Sequence, residues 1–213
     1  RNAMAAIRDL AAAIKGEKPL ALKIQGGTLD SISKYDPTLI DYIACNGNYA
    51  GNRDWCKANN KLLNIYSSTS TRVSPASMRL VFGFQPWQYD AFAVNGWALN
   101  WSNGSAFNDL DAGMSDWQTI LPNWCGRPIS TPTWESLREA VDDLRYIAVL
   151  ESLVKAGKAK GDVLTEIKTN GVKGLQTKSE KVVGDTVFGA DVKDADELTL
   201  AREMIIAEIL KAK

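Results

Sequence analysis

Hydrophobic positions in residues 1–104 alternate between short unbroken apolar runs and longer stretches with helical spacing. Short apolar runs closed by Gly, Asn or Ser are typical of buried strands, whereas apolar residues at every third or fourth position predict helices. The pattern predicts helices over 3–15, 53–60 and 76–89. It predicts four strands, over 20–25, 39–45, 61–66 and 91–101.

Each predicted strand is followed by a polar or glycine-rich segment and is separated from the next by a connector. This alternation is typical of βαβ units and a parallel sheet. A complete eight-stranded barrel takes roughly 200–250 residues, so four units amount to about half of one. We therefore expect an α/β fold of the (β/α)8 TIM-barrel type, of which this chain holds half.

Beyond the predicted strands, residues 104–130 form a long loop rich in Asn, Asp, Trp and Pro. Thr131 and Pro132 then supply an N-cap and a proline at the first helical position. The helix that follows is expected to end at Gly157 or Gly161. Its predicted core face comprises Trp134, Leu137, Val141, Leu144, Ala148 and Leu150, and its charged face comprises Glu135, Arg138, Glu139, Asp142, Asp143 and Arg145.

The remainder predicts one more helix over 194–211, with apolar positions at Leu198, Ala201, Ile205, Ile209 and Leu210. Residues 162–193 are polar and weakly patterned, with strand-like pieces at 182–183 and 186–188. The chain thus divides into a half-barrel over 1–130 and a helical C-terminal extension over 131–213.

Composition narrows the possible functions. The chain is 45% apolar, and 25 basic residues balance 25 acidic ones. Without net positive charge there is no global attraction to nucleic acid or an anionic membrane, and no apolar run reaches the ~18 residues of a membrane span. Histidine is absent, which removes the commonest metal ligand and general base. We expect no cofactor and no metal.

The three cysteines, Cys45, Cys56 and Cys125, show no CxxC spacing, and their odd number argues against a complete disulfide framework. Buried free thiols are favoured, although one pair could form in an oxidising compartment. No signal peptide is recognisable. Arg1 begins inside the first predicted helix, so either the chain continues a longer one or residues 1–3 precede a start at Met4.

Four segments together resemble one family: the stretch from Arg79 to Trp87, 96–101 (GWALNW), 126–132 (GRPISTP) and 134–146 (WESLREAVDDLRY). They resemble the C-terminal catalytic-domain region of glycoside hydrolase family 123 and of the uncharacterised glycosidase-like proteins that share it. The resemblance covers roughly residues 20–160, and the helix signature is its most specific part.

The resemblance implies a (β/α)8 barrel, of which this chain is the C-terminal half, and a secreted or periplasmic glycan hydrolase. Characterised members remove N-acetylgalactosamine, using an Asp-Glu pair at a strand end. In this chain the Asp-Glu dipeptide, Asp196-Glu197, falls in the last predicted helix. The catalytic pair is therefore outside this chain or missing. Three alternatives follow: a hydrolase-like protein, a non-catalytic scaffold or glycan-binding protein, or a structural or assembly subunit whose half-barrel is completed by a second chain. The exposed strand edges of a half-barrel favour cover by an N-terminal half or by a partner.

Working residues of such barrels sit at the carboxyl ends of strands. The sugar-binding candidates are aromatic residues for stacking and amides for hydroxyls, namely Gln25, Asn46, Tyr66, Trp97, Asn100, Trp101 and Asn103; Trp87 and Tyr89 are further stacking candidates. The alternative is that Trp97, Leu99 and Trp101 pack between strands and helices.

Two acidic groups are also conspicuous. Asp109, Asp111 and Asp116 in the long loop could bind a cation, although a solvated loop is favoured because their spacing matches no EF-hand. Asp142-Asp143 with Arg138 and Arg145 suggests paired-carboxylate catalysis, but the four-residue spacing from Arg138 to Asp142 favours a helix-surface ion network that docks to the barrel.

Overall fold

The computed structural model describes the greater part of the chain: residues 23–26, 40–68, 74–108, 110–111, 116–123, 125–172 and 195–212, and the single residues 6, 9, 13 and 37. None of the helices in these ranges is long and apolar enough to cross a membrane. The predicted strand-like pieces at 182–183 and 186–188 lie outside the described residues.

The described residues form a mixed α/β structure with a small parallel sheet. The strands of the sheet are β1 (Lys23–Gly26), β2 (Tyr42–Cys45), β3 (Leu62–Ser68) and β4 (Ala93–Trp97). Two further antiparallel pairs consist of β5 (Asn100–Trp101) with β6 (Trp117–Gln118) and β7 (Ile120–Leu121) with β8 (Ile129–Ser130). The α-helices are α1 (Tyr49–Ala58), α2 (Pro75–Arg79), α3 (Gln85–Gln88), α4 (Pro132–Lys155), α5 (Asp162–Asn170) and α6 (Ala195–Lys211), and a π-helical segment (Leu80–Phe84) joins α2 to α3.

Contacts divide the chain into two compact units. The first, the sheet unit, comprises Arg1–Tyr66 and Tyr89–Asn95. The second, the helical unit, comprises Ser67–Gln88 and Gly96–Lys213. The expected division into 1–130 and 131–213 stays a prediction.

The sheet has the strand order β1-β2-β3-β4, with β1 parallel to β2 and β2 parallel to β3. Ile43, Ala44 and Cys45 are all fully buried although neighbouring side chains point to opposite faces. Burial on both faces is typical of a parallel sheet covered by helices. The succession β2–α1–β3 is the βαβ unit that the apolar pattern predicted, and its strands are confirmed to within a few residues.

Helix α1 begins at Tyr49, four residues before the predicted start at residue 53. The preceding loop turns through positive φ at Gly47 (109°) and Asn48 (44°). The Asn52 Nδ2 atom donates a hydrogen bond to Gly47 O at 3.0 Å and holds this turn against the helix. The Asn/Gly-rich run over residues 46–52 is predicted to be a loop because Asn and Gly favour turns. In the structure residues 49–52 belong to the helix, and the Asn52 side-chain bond links them to the turn.

The last predicted strand is divided. Residues 91–101 form β4 and β5, separated by a cis peptide bond between Trp97 and Ala98. The predicted helix over 76–89 is confirmed, with the π-helical segment in its middle. Within the predicted helix over 3–15, the described positions Ala6, Asp9 and Ala13 are helical.

Helix α4 begins as predicted, with Thr131 as its N-cap accepting a hydrogen bond from Trp134 N at 3.1 Å. Its predicted core face is confirmed for Leu150, and Leu144 packs against the core, but it is wrong for Trp134, Val141 and Ala148, which are exposed. The buried positions are Thr133, Ser136, Ala140, Asp143, Ile147 and Leu150, so the stripe before Leu150 lies one residue away from the predicted one.

A close helix–helix approach explains this shift. A Cβ atom built on Gly83 would lie 3.2 Å from the Cα, Cβ and O atoms of Ala140. The π-helical segment therefore contacts the backbone of α4 directly, and only small side chains fit at that level of the interface. The apolar periodicity predicts burial of the larger residues of α4, whereas the close approach of the two helices allows only the smaller residues to be buried.

The helical unit has its core between α4, α5, α6 and the π-helical segment. Phe84, Ile147 and Ile167 are buried there together with the predicted apolar positions of the last helix: Leu198, Ala201 and Ile205. Helix α5 was not predicted, because residues 162–170 lie in a stretch that we interpreted as weakly patterned. Its apolar positions Val163, Leu164 and Ile167 are spaced as a helix requires.

The buried face of α4 also carries a charge. Asp143 is 1% exposed, and its carboxylate accepts hydrogen bonds from two guanidinium groups. Arg79 of α2 donates to it through Nε at 2.6 Å and Nη2 at 2.8 Å, and Arg202 of α6 donates through Nε at 2.6 Å. Arg202 Nη1 also donates to Glu139 at 2.6 Å. We call these four residues the ion cluster.

The exposed neighbours of the ion cluster behave as predicted. Arg138 pairs with Glu135, Glu139 and Asp142, and Arg145 pairs with Asp142. This is the expected helix-surface network, so the prediction is confirmed for Asp142. It is wrong for Asp143, because that carboxylate is buried against two other helices.

Replacing Asp143 with Ala should destabilise the chain by about 3–5 kcal/mol, because it leaves two guanidinium groups without their buried counter-charge. Urea denaturation measures this change in the free energy of unfolding. Asp142→Ala is the matched control: its carboxylate belongs to the surface network and should contribute less than about 1 kcal/mol. Equal small losses in both variants would show that the ion cluster does not hold the helices together.

Acid should weaken the fold through Glu139. The hydrogen bond from Arg202 is the main cause that lowers the pKa of Glu139. The unfolded chain then binds the proton more readily than the folded one, so this stabilisation is complete above the ordinary glutamate pKa of about 4.3 and is lost as the pH falls through the lowered value. The difference in unfolding free energy between wild type and Glu139→Gln should shrink on acidification; a difference independent of pH would contradict this.

Candidate functional site

In the sheet unit, polar side chains lie on one face of the sheet near the carboxyl ends of its strands. The register pairs Cys45 with Ile65, so Asn46 and Tyr66 each follow immediately on neighbouring strands. Asn64 lies two residues before Tyr66 in β3 and therefore shares its face. Asn64 also bonds Asn95 of β4. We call Asn46, Asn64, Tyr66 and Asn95 the amide face.

Two buried acceptors on the amide face have no partner within the part of the chain that the structure describes. The Oδ1 atoms of Asn46 and Asn64 are buried and have no hydrogen-bond partner among the described residues. Buried polar atoms are nearly always hydrogen-bonded, and leaving one unsatisfied costs about 1–3 kcal/mol. Such atoms require a donor from ordered water or from a ligand, which marks this face as a candidate binding site.

In the helical unit, strands β5 and β6 form a short antiparallel hairpin. Its register places Trp101 opposite Trp117 and Asn100 opposite Gln118. Because opposite residues of a pair point to the same face, the two tryptophans share one face. Trp101 is 38% exposed and Trp97, just before the hairpin, is 50% exposed. The alternative in which Trp97, Leu99 and Trp101 are packed core residues is therefore wrong.

A buried carboxylate fixes this hairpin. The side chain of Asp116 accepts a hydrogen bond from Asn103 N at 2.8 Å and another from Gln118 Nε2 at 3.3 Å. Asn103 Nδ2 and Gln118 Oε1 are buried without a partner among the described residues. Sequence reasoning missed Gln118 because nothing in its neighbourhood indicates that a glutamine there is completely buried.

The start of helix α4 is connected to the same hairpin by hydrogen bonds. Thr131 Oγ1 donates to Thr119 O, and Thr119 Oγ1 donates to Ala98 O at 3.0 Å. At the same helix end, Ser130 Oγ donates to the Glu135 carboxylate at 2.5 Å, which lowers the pKa of Glu135. These bonds attach the exposed tryptophan segment to the first turn of a long helix.

The acidic loop forms hydrogen bonds to its own backbone. Asp111 accepts a hydrogen bond from Ser105 N at 2.7 Å. A Cβ atom built on Gly104 would lie only 2.7 Å from the carboxylate oxygens of Asp111, and Gly104 has a φ of 87°. Both the close approach and the positive φ therefore require glycine at this position. In the part of the chain that the structure describes, no three acidic or cysteine residues are grouped as metal ligands would be; Asp109 lies outside that part.

The predicted sugar-binding residues fall in both units. Asn46, Tyr66 and the backbone of Gln25 belong to the sheet unit, while the tryptophans and the remaining two asparagines belong to the helical unit. Trp87 is a packing residue: its Nε1 atom donates to Glu151 at 2.7 Å, and Lys168 lies 4.9 Å from its ring centroid. Tyr89 packs against Tyr49, with ring centroids 5.5 Å apart.

All three thiols are free. The prediction of buried free thiols is confirmed for Cys45 and Cys56, but it is wrong for Cys125, which is exposed. Desolvation by burial raises the pKa of Cys45 to about 12 and the pKa of Cys56 to about 11. A thiol with so high a pKa forms almost no thiolate at neutral pH and is a poor nucleophile. Burial therefore argues against Cys45 and Cys56 as nucleophiles.

Thiol labelling should separate the three cysteines. In the folded chain at neutral pH, a disulfide reagent such as DTNB should label the exposed Cys125 quickly, and Cys45 and Cys56 only after unfolding. Absorbance of the released thiolate counts the reacted thiols. Rapid labelling of more than one thiol before denaturant is added would contradict the burial of Cys45 and Cys56.

Comparison with known proteins gives no further assignment. No family model and no curated protein matches this chain. The resemblance to glycoside hydrolase family 123 accordingly stays a prediction.

Proposed function

We propose that this chain is a carbohydrate-binding, glycoside hydrolase-like protein. The observation that carries the proposal is the exposure of Trp97 and Trp101 on a segment that buried polar groups hold in place. Contact between the apolar indole ring and water is unfavourable. A tryptophan that the surrounding bonds hold exposed to solvent therefore favours a ligand-binding role.

Tryptophan suits sugars for a physical reason. The C–H groups on one face of a pyranose ring are apolar and slightly positive, and they complement the negative face of an indole ring. Sugar hydroxyls require both donors and acceptors, which amide side chains supply. In the helical unit, Asn103 supplies an amide two residues after Trp101, whereas Asn100, opposite Gln118, lies on the other face of the β5–β6 pair. In the sheet unit, considered separately, Asn46 and Tyr66 supply polar groups at strand ends.

The proposed fold is the C-terminal half of a (β/α)8 barrel. The parallel β2–α1–β3 unit and the long amphipathic helix α4 support this assignment, together with the family resemblance of 134–146. A half-barrel leaves strand edges that need pairing, which favours completion by an N-terminal half or a second chain. The substrate class that the resemblance favours is N-acetylhexosaminide glycans.

Hydrolysis is proposed to require residues outside this chain. The Asp-Glu pair of the resembled family would have to stand at a strand end, but Glu197 is part of helix α6. The chain alone should therefore bind sugar without cleaving it. Release of the chromophore from a nitrophenyl N-acetylhexosaminide by the purified chain would contradict this part of the proposal.

Binding can be tested at Trp101. Isothermal titration of the chain with N-acetylgalactosamine, N-acetylglucosamine and galactose should detect binding, and Trp101→Ala should weaken it about tenfold, or about 1.4 kcal/mol. Trp134→Ala is the matched control, since Trp134 is similarly exposed but lies on the surface of helix α4. Equal affinities of wild type and Trp101→Ala, or no binding by wild type, would refute the assignment.

A further inference from the structure

An asparagine pair on the amide face is arranged in an unusual way. Asn64 is 2% exposed and lies in β3 between Leu63 and Ile65, both buried. Its Nδ2 atom donates to Asn95 Oδ1 at 2.9 Å, while its own Oδ1 atom is buried without a partner among the described residues. Asn95, by contrast, is exposed. The pair therefore connects the interior of the sheet unit with its surface.

The hydrogen bond from Asn64 determines which end of the Asn95 side-chain amide faces outward. Because Asn95 Oδ1 accepts from Asn64, the Asn95 amide is turned so that its Nδ2 group, with two hydrogens, is directed away from the bond. A side-chain amide on a surface would otherwise rotate between several orientations. Asn64 thus removes rotational freedom from Asn95 and presents a defined hydrogen-bond donor.

We propose that Asn95 contacts the ligand and that Asn64 is a positioning residue acting through it. The ligand class is a neutral, oxygen-rich molecule such as a sugar, which offers hydroxyl, ring or carbonyl oxygens as acceptors for Asn95 Nδ2. This inference rests on the proposed carbohydrate-binding function and assigns to it two residues that strand-end reasoning did not select. Tyr66, two residues from Asn64 on the same face, places the contact among the predicted site residues.

Asn64 is a polar residue at a strand position between two buried apolar residues, which requires a reason other than apolar packing. A polar residue kept for the fold would have its buried atoms satisfied, and an apolar residue at this strand position would avoid the cost of the unpaired acceptor. Residues that reduce stability without a structural return are characteristic of functional sites.

A double-mutant cycle tests the inference on the folded chain. Isothermal titration with N-acetylgalactosamine and galactose is carried out for wild type, Asn95→Ala, Asn64→Leu and the double variant. Each single variant should bind about five- to tenfold more weakly, which corresponds to one hydrogen bond. If Asn64 acts only through Asn95, the double variant should be no weaker than Asn95→Ala. Asn170→Ala, an exposed asparagine of helix α5, is the control and should bind as wild type does.

Three outcomes would overturn the inference. Losses that multiply in the double variant would give Asn64 an independent role, and a melting temperature lowered by Asn64→Leu would make that role structural. Unchanged affinity in Asn95→Ala would remove the proposed contact while leaving the carbohydrate function intact. Absence of sugar binding by wild type would instead refute the proposed function, and this inference with it.

Discussion

Burying the Asp143 carboxylate between helices is costly, because a charge removed from water loses several kcal/mol of hydration. The cost is offset only where cations are brought to the same place, and here α2 supplies Arg79 and α6 supplies Arg202. Arg79 additionally donates to Leu198 O at 3.2 Å. The requirement to surround one carboxylate therefore specifies which faces of three helices meet, and the apolar core of the helical unit forms around that arrangement.

Much of the local structure could be predicted from the sequence. The strands of the sheet, the N-cap of α4 at Thr131 and the buried stripe of α6 follow from apolar runs, capping residues and helical spacing. What failed were positions decided by distant partners. Asp143 was assigned to a solvent-exposed face because its two guanidinium partners lie 64 and 59 residues away in the chain, and the small residues of α4 face inward because Gly83 approaches Ala140.

Some residues of the candidate site could be predicted from the sequence, and others depend on contacts between distant segments. Parallel strands place working residues at their carboxyl ends, which suffices to select Asn46 and Tyr66, and an aromatic-rich segment suffices to select Trp101. The pairing of Asn64 with Asn95 could not be predicted, because it depends on the register between strands that are 31 residues apart. Asp116 was noticed as an acid in a loop, but its burial against Asn103 depends on the hairpin, which composition does not indicate.

The amide face carries no formal charge on any of its four side chains. Charged sites draw their ligands in through long-range fields and can raise association rates by about 10–1000-fold, an advantage that salt removes. The ligand class proposed above is neutral, so such a field would not steer it, and a sugar would reach the amide face by unguided diffusion. Its rate of association would then depend on ligand concentration and on the small target area, and would not change with ionic strength.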